Sequence, residues 1–138
     1  MIIICQTVEG INAAIRRRLG ERDNVCYASE KREVLDLVRG HQDQPGRIVV
    51  ISSNVFADEP VTGSILATAV KEIKPDAWFF LYTTVKSGTM KRIDGMVTKN
   101  LLGDDIRQLV DSRPDDPNAV PDLAALFSLV PNLVRISD

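Results

Sequence analysis

The sequence predicts an α/β fold, a doubly wound parallel sheet of five strands with helices on both faces. Three observations carry this. Short apolar runs rich in β-branched residues alternate with segments of helical period. Runs such as Ile48-Val49-Val50-Ile51 are apolar without alternation, as expected of strands buried on both faces. Turn residues punctuate the joints, and apolar strands separated by helices imply a parallel sheet with helices on both faces.

Ile2 to Cys5 is the first strand. Ile11, Ala14, Ile15 and Leu19 recur at helical spacing and stop near Gly20. Val25 to Ala28 is the second strand. Ser29 is placed to cap a helix through Val34, Leu37 and Val38, closed by Gly40. Gln44-Pro45-Gly46 breaks the chain before the third strand. Asp58 and Pro60 open a helix bearing Val61, Ile65, Ala69, Val70 and Ile73, which Pro75-Asp76 ends. Trp78 to Tyr82 is the fourth strand, its consecutive aromatics facing both sides of the sheet. Met96 to Thr98 is the fifth, and Asp104 to Val110 lie on a last helix. Only Val85 to Asp94 separate Thr84 from Gly95, the lower limit for a crossover with a helix, so a fourth helix is expected to be short or absent. The architecture is flavodoxin-like, with its functional rim at the carboxyl ends of the strands.

A chain of 138 residues fits one domain with a real core. A net charge of −2 gives no footprint for nucleic acid or a membrane surface. Cys5 and Cys26 lie in apolar runs and read as buried free thiols. With a single histidine, His41, in a polar stretch, a zinc site is not expected. Met1 to Cys5 is too short for a signal-peptide core or a membrane span, so a cytoplasmic protein is expected. There is no Gly-rich phosphate loop, because Gly88, Gly95 and Gly103 are scattered.

The strand ends carry the chemistry. Lys99 follows the fifth strand, Thr83 and Thr84 the fourth, Ser52, Ser53 and Asn54 the third, and Cys5, Gln6 and Thr7 the first. This order resembles the receiver domains of two-component signalling, over about residues 1–112. In that family an aspartate after the third strand is phosphorylated. An acidic pair after the first strand helps it hold magnesium, and a hydroxyl and a lysine touch the acyl phosphate. Lys99 matches the lysine and Thr83 or Thr84 the hydroxyl. Ser52 stands at the phosphoacceptor position, Cys5, Gln6 and Thr7 where the acidic pair belongs, and Asn100 where a proline is usual. The resemblance therefore implies a pseudo-receiver, non-catalytic, without cofactor or metal, since magnesium needs such carboxylates. A Ser52–Lys99 nucleophile pair would need an oxyanion motif and a second acid or base, and neither is visible.

Two functions from different classes are expected to compete. One is a signalling or localisation module acting by protein–protein contact, as a homodimer or with a partner or C-terminal output domain. The other is a small-anion or nucleotide sensor built on the rim of Ser52, Thr83, Thr84 and Lys99. Receiver-like modules of this sort precede ATPase domains in pilus-assembly localisation proteins and output domains in clock proteins. Residues 1–113 are expected to form the receiver-like domain and 114–120, rich in Pro and Asp, a linker. Residues 121–138 form a tail whose Leu123, Leu126, Phe127 and Val130 share one helical face. That tail helix is expected to dock near the fifth strand, in the vacancy of the fourth helix, in cis or across a homodimer. Met96, Ile106, Leu109 and Val110 complete the expected interaction surface with it.

Overall fold

The structure, a computed structural model, describes residues 1–6, 9–53, 55–56, 59–83, 91–98 and 103–136. In chain order these form β1 (Ile2–Cys5), α1 (Glu9–Leu19), β2 (Val25–Ala28), α2 (Lys31–His41), β3 (Val49–Ser52), β4 (Val55–Phe56) and β5 (Glu59–Thr62). There follow α3 (Gly63–Ile73), β6 (Trp78–Thr83), β7 (Gly95–Thr98), α4 (Asp104–Asp111), α5 (Leu123–Leu129) and β8 (Leu133–Arg135). One sheet has the order β2-β1-β3-β6-β7-β8. Its first five strands pair in parallel. The sixth, β8, runs antiparallel to β7, with Met96 opposite Val134. The fold is thus α/β, with one strand more than the five expected.

The central strands are apolar throughout because both of their faces are covered. On one face Ile2, Ile4, Ile51, Phe80 and Val97 pack with Ile15 of α1 and Ile106 and Leu109 of α4. On the other, Ile3, Cys5, Val50, Phe79 and Leu81 meet Val34 and Val38 of α2 and Leu66 and Val70 of α3. Gly20 adopts φ +73 and donates its N–H to Arg16 O at 2.9 Å, closing α1 where a side chain would be strained.

Several boundaries differ from the expected ones. The third helix begins at Gly63 rather than near Asp58, because Val55–Phe56 and Glu59–Thr62 pair as a short antiparallel hairpin. Gly40 lies inside α2, which continues to His41. Ser29 is not the N-cap of that helix. Glu30 is, and Ser29 instead donates its hydroxyl to Glu33 Oε1 at 3.0 Å. Between β6 and β7, residues 84–90 lie outside the described ones, and Lys91 to Asp94 form a turn and irregular backbone without helix.

The tail docks in cis beside the fifth parallel strand, where β8 pairs with β7, and α5 joins the core on the face of α1 and α4. Val120, Leu126 and Val130 are fully buried there with Ile106, Leu109 and Val110. Leu123 and Phe127 pack partly buried against the same cluster, while Met96 packs against the opposite one. Most residues of the expected interaction surface thus meet within the chain's own core, which is the cis form of the expected docking. Asp122 caps α5 by accepting from Ala125 N at 2.8 Å. The segment expected as a linker is also anchored, since Arg47 donates to Pro114 O and Val120 O at 2.8 and 2.9 Å. Among the described residues, no helix is long and apolar enough to cross a membrane.

Gly95 marks the seam between sheet and tail. A Cβ there would stand 3.1 Å from Val134 O and 3.2 Å from the Phe127 ring. Gly95→Val is expected to pry β8 and α5 from β7 and to cost about 1–3 kcal/mol, the range for overpacking. Urea unfolding measures it, and a neutral result would mean that the seam has slack.

Candidate functional site

The strand register assembles half of the expected rim. Cys5 lies opposite both Ala28 and Ser52, and Ser52 opposite Leu81. Thr83 lies opposite Thr98, two residues farther along β6 than Leu81. Thr7, Thr84, Lys99 and Asn100 fall outside the described residues, so of the lysine-and-hydroxyl half only Thr83 is placed.

The described half is closed and knitted together. Gln6 and Ser52 are fully buried, and Ser53 nearly so. Ser52 Oγ donates to Ser53 O at 2.9 Å, and Ser53 Oγ donates to Gln6 Oε1 at 3.1 Å. The Ser53 N–H donates to Cys5 O at 2.9 Å, and the Gln6 N–H to Ala28 O at 3.2 Å. A hydroxyl held this way between strand ends ties β1, β2 and β3 together and faces no solvent. Among the described residues, no carboxylate takes part in these four bonds. Among the described residues, no group of three His, Cys, Asp or Glu side chains stands where it can hold a metal ion.

Cys5 is buried on the α2 face, and its pKa is pushed from 9.0 up to about 12, first by burial and then by the charge of Glu33. A hydrogen bond with Ser52 acts the other way. The folded state thus holds the thiol proton more tightly than the unfolded chain does. The stability this contributes is complete below 9.0 and is lost as pH rises toward about 12. At pH near 8 an aromatic disulfide reagent is expected to leave Cys5 unmodified in the folded protein and to titrate it after denaturation. Rapid labelling of Cys5 in the native state would contradict this burial.

One residue at this end of the sheet escaped the sequence reading. Asn12, on the first turns of α1, donates Nδ2 to Ala28 O at 2.8 Å and to Gln6 O at 3.3 Å. It clamps the ends of β1 and β2 across α1. An asparagine amid an amphipathic helix reads as one more polar surface position, and no local pattern distinguishes it. Beside it a cleft of about 460 Å³ opens at the end of β2, walled by α1 and the start of α2. Compared with protein-family models, curated protein sequences and solved structures, the chain matches none of them.

Proposed function

We propose that this chain is a receiver-like module of flavodoxin-like fold that has lost phosphorylation and works in signalling or localisation through protein contact, without catalysis. The observation that carries the reading is Ser52. It ends β3, beside Cys5 at the end of β1, in a parallel sheet ordered β2-β1-β3-β6-β7 before the antiparallel strand is added. A receiver carries its phosphoacceptor aspartate at the end of its third strand; here a buried hydroxyl, turned onto Ser53 O, ends β3. Acyl phosphate chemistry needs a carboxylate there and further carboxylates for magnesium. Cys5 and Gln6, the described residues at the acidic positions, supply neither.

In the family that the chain resembles, the face of helix four, strand five and helix five is the usual output surface. Here β8 extends the sheet past the fifth parallel strand, so a partner would meet the tail instead. Of the large apolar side chains that stand exposed, Leu129 and Val134 lie on that tail, at 54% and 52% exposure. Exposed apolar surface at a sheet edge suits protein contact.

Incubation with acetyl phosphate and magnesium tests the loss of phosphorylation. Mass spectrometry is expected to show no added phosphoryl group. A magnesium-dependent gain that disappears in Ser52→Ala would sink the reading.

A further inference from the structure

The cleft at the end of β2 is polar in a particular way. Asn12 and Arg16, one turn apart on α1, form one wall, Tyr27 and Ser29 line it, and Glu33 of α2 stands across. Ala13 and Ala28 leave the room. Its volume falls in the range of small-molecule sites, about 300–1,000 Å³.

The amide of Asn12 has one orientation, because Nδ2 faces two carbonyl oxygens, Ala28 O and Gln6 O. Its Oδ1 therefore points away from them, buried and without a hydrogen-bond partner among the described residues. The Tyr27 hydroxyl is in the same condition. Buried polar atoms without partners are rare and each calls for an explanation. Here two of them border one cleft. Burial raises the Tyr27 pKa above 10.0, so the hydroxyl keeps its proton and remains a donor.

The charges around the cleft are balanced but not spent on each other. The Arg16 guanidinium carbon stands over the Tyr27 ring, 4.4 Å from its centroid. Glu33 is steadied by the Ser29 hydroxyl at 3.0 Å. The ion pairs among the described residues include neither Arg16 nor Glu33. One cation, one anion, one acceptor in need of a donor and one donor in need of an acceptor share a single cleft. Phosphate esters, with two negative charges and no donor to offer Asn12, match it poorly.

We propose that this cleft binds a small zwitterion of the α-amino-acid class. The ammonium donates to Asn12 Oδ1 and the Glu33 carboxylate, and the ligand carboxylate accepts from Arg16 and the Tyr27 hydroxyl. Arg16 and Glu33 are both exposed, so they can adjust to a guest while the clamped Asn12 stays fixed. The proposed ligand contacts no side chain of the receiver rim, which meets the site only where Gln6 O holds Asn12, and the proposal stands or falls independently of phosphorylation.

Calorimetric titration and thermal unfolding with each standard L-amino acid, up to about 10 mM, test it. At least one is expected to bind saturably and raise the unfolding midpoint by mass action. Its N-acetyl amide, inorganic phosphate and adenosine monophosphate are expected not to. Arg16→Gln and Glu33→Gln are each expected to weaken binding at least about tenfold, the loss of a charge-assisted hydrogen bond. The unfolding midpoint of the free protein should stay nearly constant in both. The proposal fails if no amino acid binds, if the blocked amide or a phosphate binds as well or better, or if both variants bind like the parent.

Discussion

Deleting residues 118–138 is expected to abolish cooperative folding. Val120, Leu126 and Val130 are fully buried and Leu133 is 4% exposed, all within the face that holds Ile2 and Ile4. Burying each such side chain contributes about 1.5–3 kcal/mol, so the four together amount to about 6–12 kcal/mol, an upper estimate. Whole domains are stable by only about 5–15 kcal/mol. The deletion also strips β7 of its antiparallel partner and uncovers Ile106, Leu109 and Val110. Circular dichroism with urea titration measures the outcome. A truncated protein that still unfolds in one sharp transition, within about 2 kcal/mol of the parent, would make the tail an accessory.

Arg47→Ala is expected to cost about 2–4 kcal/mol. The guanidinium donates to three carbonyls, Pro114 O, Val120 O and Pro121 O, at 2.8, 2.9 and 3.3 Å. Its Cζ also lies 3.6 Å from the centroid of the Trp78 ring. Hydrogen bonds to a charged group contribute about 1.5–3 kcal/mol each when shielded, and here the outermost, to Pro121, is exposed. Truncation leaves the inner carbonyls short of a donor and the indole uncovered. Arg47→Lys is expected to recover only part of the loss, because an ammonium cannot spread over three acceptors and stack at once. Equal stability of Arg47→Ala in guanidinium unfolding would show that water serves these carbonyls as well as Arg47 does.

The alternation of strands and helices was legible because burial on both faces leaves a plain mark, the unbroken apolar run. Ile2–Cys5, Val49–Ser52 and Trp78–Thr83 all appear near their expected places. The β4–β5 hairpin was not legible. Asp58 and Pro60 are good helix openers, but pairing of Val55 with Thr62 overrides that local preference. Val120 was hidden by its neighbours, since prolines and aspartates suggest a loose linker, yet Val120 goes to the core and Pro114 is buried as well. At the rim, Ser52, Cys5 and Gln6 were legible by position, but their burial was not, because it depends on the register of three strands. The Asn12–Tyr27–Glu33 cleft was invisible in sequence for the same reason. Its members belong to three elements and meet only through the fold.

The packing of Leu126, Val130 and Leu133 with Ile2 and Ile4 has a kinetic consequence. These partners are separated by nearly the entire chain, and folding slows as contacts become more distant in sequence. The opposite face, built from β1, β3, β6, α2 and α3, uses nearer neighbours and can gather first. Refolding is therefore expected to pass its barrier when the tail arrives. Substitutions at Leu126 or Val130 should then slow refolding more than they speed unfolding if the tail belongs to the nucleus, and the reverse if it locks on afterwards. On a ribosome, where synthesis runs from the amino end, the face of the sheet that holds Ile2 and Ile4 stays incompletely covered until Val120 to Leu133 emerge, and that interval is when this face is most exposed to aggregation.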